Sequence, residues 1–495
     1  MSAATTGSTT RPTATSGERG FGPKFVIPIL FGPLLNPINT TMIAVALAPI
    51  QKDLGIGSDQ AMWLVSSLYL ASAIAQPTMG KLADRFGPKK IFLMGMVIVI
   101  IAGLLPDLFP SFGAAILSRV LIGIGTSSAY PAAMSAIRNQ SDRLNTPTPP
   151  LVLGGLSISS LVSAAAGPPL AGVLIGAFGW HSIFLVNVPL AGAGLILAAL
   201  WMPSDRIRPV REAKLPVSQA IDPLGLGLFA ITIGSLLVFL LDLSQGLWPL
   251  LIVTVLALVG LIVWERRAVA PFIDVRMLAT NGPLTRTYLR LFLLYGIAYT
   301  MTYGFSQWTQ EVAHLSSQTA GLVQLPGAIL AGVASFWFAR KAGVRLPLIA
   351  AAVIPLGGGA ILLALTSGSP VWMFVIVAIF FTVPQGLASV SNQAALYRQV
   401  PPSGMGSAAG LSRTSIYIGA IASTSLIGVV YGKAPTTADL HLLAFVILGI
   451  AVVLSVLTIF DRKLKRASRS AGASGAASAE SEAEQLDEPE AVTTP

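Results

Sequence analysis

The sequence GKLADRFGPKK at residues 80–90 is followed without interruption by IFLMGMVIVIIAGLLPDLF at residues 91–109. The second stretch carries a single charge, Asp107, close to its end. As an α-helix it would be about 28 Å long, which is close to the ~30 Å thickness of the hydrocarbon core of a bilayer. A basic segment next to an apolar stretch of this length predicts a membrane-spanning helix that begins on the cytoplasmic side.

Apolar stretches of similar length recur along nearly the whole chain, each bounded by charged or turn-forming residues. The predicted membrane helices are 25–50, 61–80, 91–109, 113–136, 152–177, 182–201, 223–243, 247–264, 283–310, 318–340, 346–367, 371–396, 406–431 and 440–461. The 495 residues are 54% hydrophobic and only 11% charged, whereas a soluble domain is about 25% charged. The predicted fold class is therefore an all-α membrane protein with fourteen transmembrane helices.

The distribution of basic residues agrees with an even number of crossings. If the amino terminus is cytoplasmic, Lys52 and Lys433 face outward, Arg119 lies inside a span, and every other Lys and Arg of the 31 is cytoplasmic. Such asymmetry obeys the positive-inside rule. We therefore expect a multi-pass protein of the cell inner membrane with both termini in the cytoplasm.

Composition also excludes several classes of function. The chain has no cysteine, so disulfides, thiolate catalysis and cysteine-metal sites are excluded. His181, His314 and His441 are far apart in the sequence, and no phosphate-binding glycine loop is present, so neither an enzyme nor a metal or cofactor site is expected. The net charge of +10 comes from basic residues scattered between apolar stretches, so nucleic acid is not an expected partner.

The loop at residues 80–90 resembles the signature loop of the major facilitator superfamily. Gly80 and Gly87 would allow a tight cytoplasmic turn, Arg85 contributes to the basic charge of the loop, and Asp84 at a helix end would pair with a nearby base and latch two bundles. This resemblance implies a conformational switch. The alternative is an ordinary basic loop that only sets topology.

Arg119 is predicted to be the one basic residue buried in a span. A charge at the bilayer centre costs about 2.5–3.5 kcal/mol on insertion scales, so its side chain should face protein or water. The stretch from Arg119 to Gly125 resembles the fourth-span motif of proton antiporters of the superfamily, with Ile122 in a position that often holds glutamine. The alternative is an arginine that extends to the helix end.

Two further stretches resemble motifs of exporters in this superfamily. Gly167, Pro168 and Gly172 lie in the fifth span, where small residues allow close helix packing and proline bends the helix. For this fifth-span motif alone, generic helix packing would explain the same composition. The sequence from Trp180 to Pro189 is similar to the fifth-to-sixth-span junction of the fourteen-spanner drug:proton antiporter family.

The resemblance to the fourteen-spanner family covers nearly all of residues 25–460 and includes Asp222–Gly225 and Glu265–Arg267. It implies a bundle of six helices at 25–201, a linker with two inserted helices at 202–282, and a second six-helix bundle at 283–461. The remaining segments, 1–24 and 462–495, are predicted to be disordered cytoplasmic tails because their composition cannot bury a core.

The first span departs from the family pattern. The family carries an aspartate shortly before a threonine-rich segment, and this chain has Asn39 there, followed by Thr40. An amide cannot take up and release a proton near neutral pH. A proton step must therefore use other residues, and the candidates are Asp84, Arg119, Asp107, Asp242 and Glu311. The last three lie near span ends, where a solvated surface carboxylate is the preferred interpretation.

Polar residues at helical spacing predict a substrate cavity, because polar groups facing lipid would be costly. The candidate cavity residues are Asn39, Thr40, Tyr69, Gln76, Tyr295, Tyr299, Tyr303, Gln310, Gln385 and Asn392. The tyrosines favour a substrate with apolar or aromatic surface. The alternative is hydrogen bonding between helices without any ligand.

The sequence thus predicts a monomeric secondary transporter that works by alternating access and has a small-molecule substrate, protons and membrane lipid as partners. We expect proton-coupled export of amphipathic drugs or metabolites. The alternative is a uniporter or an exchanger of a specific metabolite, without proton coupling, in which Arg119 binds an anionic group.

Overall fold

The computed structural model describes residues 20–146, 150–205, 222–241, 246–269, 271–273, 275–339, 344–399 and 405–461. Apart from residues 20–24, the predicted tails lie outside these ranges, and so do most of the linker and Asp242.

The described residues are helices joined by short turns. The amino-terminal helices are α1 Pro23–Phe31, α2 Leu35–Leu54, α3 Ser58–Phe86, α4 Pro88–Leu108, α5 Phe112–Thr126, α6 Ala129–Leu144, α7 Pro150–Phe178, α8 Ser182–Leu185 and α9 Asn187–Trp201. Two helices follow, α10 Pro223–Leu241 and α11 Trp248–Glu265. The carboxy-terminal helices are α12 Val275–Thr280, α13 Gly282–Thr300, α14 Ser306–Glu311, α15 Ser317–Ala339, α16 Arg345–Leu362, α17 Val371–Gln399, α18 Met405–Tyr431 and α19 Thr437–Ile459.

Several of these helices join into longer rods. A 3₁₀ turn at Gly32–Leu34 connects α1 to α2, and a π turn at Met301–Phe305 connects α13 to α14. Within the described ranges, ten helices or continuous helix pairs are long and apolar enough to cross a membrane, and no strand is present. The all-helical membrane class is therefore confirmed, while the count of fourteen crossings stays a prediction.

The surface of α11 is suited to lipid. Ile252, Val255, Leu256 and Val259 are exposed by 62%, 52%, 66% and 53%. A row of large apolar side chains with this exposure would be unfavourable in water but is compatible with acyl chains.

The two groups of helices contact each other mainly through two antiparallel pairs, α3 with α18 and α7 with α15. Within the groups, α2 packs on α7 and α13 packs on α18. The helices α10 and α11 pack on each other, and α10 also contacts α3 and α18. We call the side at which α1 begins and α19 ends the terminal side, and the other the distal side.

Acidic residues anchor α10 and α11 on the terminal side. Asp222 accepts hydrogen bonds from Trp264 Nε1 at 2.7 Å and from the Phe272 amide at 3.2 Å, and Glu265 accepts from the Ile273 amide at 3.2 Å. Both carboxyl groups interact electrostatically with Lys81 at the end of α3. The inserted helices are thus connected to the segment that resembles the signature loop.

The expectation that Arg119 is the one basic residue inside a span is wrong. Arg290 lies two turns into α13 and is 1% exposed, and its Nη1 is 3.0 Å from Asp461 Oδ2. The helix begins at Gly282 because the side chain of Asn281 accepts a hydrogen bond from the Leu284 amide at 3.2 Å. An arginine near the start of an apolar stretch was therefore mistaken for part of a cytoplasmic loop.

Candidate functional site

A small cavity of about 20 Å³ lies between the amino-terminal and carboxy-terminal helices. Its lining consists of Pro33, Asn36, Pro37, Gln76, Thr126, Ser127, Tyr130, Ser160, Arg413 and Tyr417. The last two come from α18, and the others come from the amino-terminal helices and the 3₁₀ turn. Because both groups contribute to its walls, any motion of one group against the other changes this cavity.

The cavity ends on its distal side at a series of contacts between α3 and α18. Tyr417 donates a hydrogen bond to Gln76 Oε1 at 2.6 Å, and the hydroxyls of Ser66 and Thr424 are 2.6 Å apart. Since Thr424 lies seven residues beyond Tyr417, this second contact is about 10 Å farther along the helix. These contacts separate the cavity from the distal side.

Backbone groups close the distal end of the same helix pair. The amides of Ser58 and Asp59, in the first turn of α3, donate to the carbonyls of Lys433 and Gly432 at 3.0 and 2.8 Å. The first amides of a helix have no partner within the helix, and here they find acceptors just beyond the end of α18. Gly432 adopts a φ of +52° at this point, a conformation that suits glycine.

A cluster of tyrosines lies next to the cavity. The rings of Tyr295, Tyr299 and Tyr303 follow one another along α13 and the π turn at centroid distances of 5.8 and 5.7 Å. Tyr69 of α3 lies 5.2 Å from Tyr299, and Tyr417 lies 5.7 Å from Tyr69. The predicted aromatic face is thus brought together with residues of two other helices.

The hydroxyl groups of this cluster form a directed chain between the two groups of helices. Tyr303 donates to the Thr40 carbonyl at 2.7 Å. Because its proton is used there, Tyr69 is the donor in the 2.6 Å contact between the two tyrosine hydroxyls. Tyr69 and Tyr303 are fully buried, so loss of either hydroxyl would leave a polar group without its partner.

Arg119 is held inside the protein. Its Nε donates to the Leu64 carbonyl at 2.8 Å and its Nη1 to the Asn39 carbonyl at 3.0 Å. The residue is 2% exposed, and its Nη2 has no partner among the described residues. It therefore does not extend to the helix end, and it fixes α5 to α2 and α3.

Asn39 is paired with a second amide. Asn39 Nδ2 donates to Asn187 Oδ1 at 2.5 Å, and Asn187 Nδ2 donates to Asn39 Oδ1 at 2.9 Å. Asn39 Nδ2 also donates to the Leu35 carbonyl at 2.8 Å. Both residues are buried, so the position where the family resemblance implies an aspartate is occupied by a neutral, mutually satisfied pair.

The signature-like segment differs from the predicted loop. Helix α3 continues to Phe86, so Gly80 and Arg85 are helical, and the turn consists of Gly87 alone with a φ of +114°. Lys81 to Phe86 include good helix formers, and only Gly87 adopts the conformation that ends the helix. The backbone of Asp84 is helical, but its side chain lies outside the described part, so the predicted latch stays a prediction.

A different acid holds the start of α4. Asp205 accepts hydrogen bonds from the amides of Lys89 and Lys90 at 3.1 and 3.0 Å, and Lys89 Nζ donates to the carbonyls of Ala199 and Met202. A carboxylate at a helix amino terminus is favourable because the first amides lack partners and carry partial positive charge. This contact ties α4 to the end of α9.

Three of the predicted cavity residues lie elsewhere in the carboxy-terminal helices. Gln310 donates to the Ser306 carbonyl at 3.1 Å and accepts from Ser317 at 2.9 Å. Gln385 donates to the Phe381 carbonyl at 3.4 Å, and Asn392 is buried with its Oδ1 lacking a partner among the described residues. None of these three side chains lines the cavity.

The exporter-like motif lies where helices approach closely. A side chain on Gly167 would meet Thr41, and one on Gly172 would come within 2.9 Å of the backbone of Ser317 and Gln318. The carbonyl of Pro168 faces Gly321 of α15. Two of the three motif residues therefore contact the carboxy-terminal helices directly.

Of the ten residues that line the cavity, sequence reasoning predicted only Gln76. Two of the omissions in this region, Arg413 and Asn187, have an identifiable cause. Arg413 was assigned to a cytoplasmic position, but it lies inside α18 and lines the cavity, with its guanidinium 5.2 Å from the centre of the Tyr130 ring. Its spacing of four from Tyr417 was the available signal. Asn187 was recognised only as part of a motif, because the sequence does not show that it faces Asn39.

Comparison with known proteins gives consistent results. A family model described as Major Facilitator Superfamily matches residues 29–424. The uncharacterized MFS-type transporter YwoD of Bacillus subtilis is 32% identical over 429 residues, which are 86% of this chain and 93% of YwoD. The multidrug export protein EmrB of Escherichia coli is 29% identical over 315 residues, which are 61% of this chain and 59% of EmrB.

A solved structure supports the fold. The crystal structure of a peptide transporter, POT, in complex with sulfate matches with a TM-score of 0.65 and 16% identity, covering 90% of this chain and 95% of that one. At this identity the match concerns the fold alone. The arrangement of the helices in this chain is therefore the one found in that structure.

Proposed function

The chain belongs to the major facilitator superfamily and is a multi-pass membrane transporter, and from this premise we propose that it exports small amphipathic compounds by alternating access. The observation that carries the proposal is the cavity between the two groups of helices, bounded on its distal side by the contacts of α3 with α18. A site shared by two groups of helices and closed toward one side is what alternating access requires.

We propose that the two groups of helices form two bundles and that these bundles rock against each other about the cavity. In the described state the cavity lies on the terminal side of the α3–α18 contacts. The opposite state requires these contacts to break and new ones to form near the terminal side. The distal contacts are hydrogen bonds of ordinary strength, each with a net value of about 0.5–1.5 kcal/mol, so their exchange is compatible with a reversible transition.

The walls of the cavity support an amphipathic substrate. Tyr130 and Tyr417 present aromatic surface, while Asn36 and Gln76 present amides. Binding sites for small molecules combine mainly apolar walls with a few oriented polar groups. Two observations support export as the direction of transport. They are the exporter-like motif in α7 and the similarity to EmrB, a multidrug export protein.

We propose that protons drive export and that Glu311 carries the proton. Glu311 ends α14 near the distal side, and its Oε1 is buried without a partner among the described residues. It interacts electrostatically with Tyr431, which also interacts with Asp439 and donates a hydrogen bond to the Gly304 carbonyl of the π turn at 3.0 Å. Glu311 is thus close to a helix irregularity of the kind that is frequent at functional sites.

A second candidate function is supported by the Asn39–Asn187 pair. Since neither amide titrates near neutral pH, no proton step can use this position. A uniporter or an exchanger of a specific metabolite would need no such step. The distribution of Lys and Arg supports a topology with both ends in the cytoplasm, and the described cavity then faces the cytoplasm.

Everted membrane vesicles test the proposal. Vesicles with and without the protein are energised, and uptake of a panel of anionic, cationic and neutral amphipathic compounds is measured before and after a protonophore. We expect uptake of at least one compound that depends on the protein and on the proton gradient, and Glu311→Gln should remove that dependence. Uptake that is unchanged by the protonophore would favour the second candidate. The absence of protein-dependent uptake for every compound would contradict the export proposal.

A further inference from the structure

Two arginines are buried among the described helices, a third, Arg413, is partly buried at the cavity, and the environments of the three differ. Arg290 has a carboxylate partner, Asp461, at 3.0 Å. Arg119 donates to two backbone carbonyls. The guanidinium of Arg413 has only the face of the Tyr130 ring, 5.2 Å away, and no hydrogen-bond or ion-pair partner among the described residues. Arg413 is therefore the arginine of the cavity lining, and its guanidinium makes no hydrogen bond to the described residues.

The other polar groups around Arg413 add no negative charge. No residue of the described cavity lining is acidic. Gln76 accepts from Tyr417 through Oε1, which leaves its Nε2 group to donate. Tyr295, Tyr299 and Tyr417 lie close enough to interact electrostatically with the guanidinium, and they too are neutral. The cavity thus offers one permanent positive charge and further donors.

The aromatic contact leaves the useful edge of Arg413 open. A guanidinium stacked on a ring keeps its N–H groups in the plane of the group, where they match the two oxygens of a carboxylate. Tyr130 comes from α6 and Arg413 from α18, so this cation–π contact crosses between the two groups of helices. Tyr130 and Tyr417 line the same cavity as Arg413, and their rings provide apolar surface there.

We infer that this cavity, once widened by movement of the two groups of helices, binds an organic anion whose carboxylate pairs with Arg413 and whose flat apolar body lies against Tyr130 and Tyr417. This inference rests on the proposed function, since it names the substrate class of the same cavity. A hydrophobic cation would place a second positive charge beside Arg413 without any described carboxylate to offset it. Anions are therefore preferred over cations and neutral compounds of the same shape.

Binding of three matched probes to the purified full-length protein tests this inference. Naphthoate, naphthamide and naphthylmethylammonium share one aromatic body and differ in charge. Affinities are measured by titration calorimetry in lipid nanodiscs. We expect naphthoate to bind about tenfold or more tightly than naphthamide, which corresponds to one charge-assisted hydrogen-bonded pair, and the ammonium probe to bind most weakly.

Two variants test whether Arg413 causes the preference for naphthoate over naphthamide. Arg413→Gln should bind naphthoate and naphthamide equally, and Arg413→Lys should keep part of the preference because a lysine is a point charge without the planar fork. Arg138→Gln is the control, since Arg138 is an exposed arginine of the same helix as Tyr130. It should keep the full preference.

The comparison among probes in the unaltered protein decides the inference even where a variant fails to fold. Equal affinities, or a preference for the ammonium probe, would overturn it, and so would an unchanged preference in a folded Arg413→Gln protein. Export of a cationic compound without naphthoate binding would retain the proposed function and reject the anion site. Selective naphthoate binding without export of any compound would retain the anion site and reject the proposed function.

Discussion

The side-chain amide of Asn39 faces that of Asn187 in a reciprocal hydrogen-bonded pair, while the backbone carbonyl of Asn39 accepts from Arg119. The pair connects α2 to α9, and the carbonyl contact connects α2 to α5. A neutral pair and a cation thus occupy adjacent positions in the interior. A carboxylate introduced here would have both an amide donor and a guanidinium nearby.

The first prediction concerns proton coupling at this pair. Asn39→Asp should make export depend more strongly on the proton gradient, because a carboxylate at this position takes up and releases a proton while an amide does not. For coupling to one proton, a pH difference of one unit is worth about 1.4 kcal/mol, or up to about tenfold in accumulation. Uptake into everted vesicles at imposed pH differences measures the effect.

Asn187→Asp is the matched control for Asn39→Asp. It also places a carboxylate in the pair, but on α9 instead of α2, away from the backbone carbonyl that Arg119 binds. A response to pH in neither variant would show that this pair has no access to protons.

The second prediction concerns Arg119. Arg119→Ala removes two charge-assisted hydrogen bonds, each worth about 1.5–3 kcal/mol, and should reduce transport about a hundredfold or more while membrane insertion remains normal. Arg119→Lys should retain part of the activity. Transport by each variant is compared with that of Arg138→Ala, in which an exposed arginine is removed. A fully active Arg119→Ala protein would reject a role of this residue in transport.

The helices and the aromatic face were predictable because they depend on local pattern. Apolar length indicated the segments, and the spacing of Tyr295, Tyr299 and Tyr303 placed them on one face. The partners of that face were not predictable. Tyr69 reaches Tyr303 across 234 positions of sequence, and helical periodicity says which residues share a face but not what the face contacts.

The errors of the sequence analysis involve charge near the ends of helices. Arg290 and Arg413 were assigned to the cytoplasm because hydropathy favours excluding charge from a span. Arg290 is tolerated because Asp461, which lies just after α19, is its partner at 3.0 Å. Arg413 is tolerated because it lines a cavity. Both reasons depend on tertiary structure.

The third prediction concerns the closed distal side. The hydroxyls of Ser66 and Thr424 are 2.6 Å apart, which brings the two Cβ atoms close to the separation of about 3.5–4.5 Å that a disulfide needs. The double variant Ser66→Cys and Thr424→Cys should form a cross-link under oxidising conditions and lose transport, and a reductant should restore it. The chain has no cysteine of its own, so labelling has no background.

The Ser66→Cys single variant is the control for the cross-link. It should remain active under the same oxidant. If the cross-linked double variant still transported at the normal rate, these two helices would not separate during the cycle, and alternating access through this contact would be rejected.

The fourth prediction compares two glycines of α15. A methyl group on Gly321 would lie 2.4 Å from the Pro168 carbonyl oxygen, whereas one on Gly332 would meet no atom within 4 Å. Gly321→Ala should therefore destabilise the α7–α15 contact by about 1–3 kcal/mol, the usual cost of overpacking. Gly332→Ala should be neutral or slightly stabilising, because alanine is a better helix former than glycine. Thermal unfolding in detergent gives the stabilities.

Oxidation of the Ser66→Cys and Thr424→Cys pair in each background reports how often the distal side is closed, since α7–α15 and α3–α18 are the two main contacts between the groups. Slower cross-linking in Gly321→Ala alone would show that close backbone approach at the exporter-like motif holds the closed state. Equal behaviour of the two alanine variants would mean that the motif residues only pack helices and do not control closure.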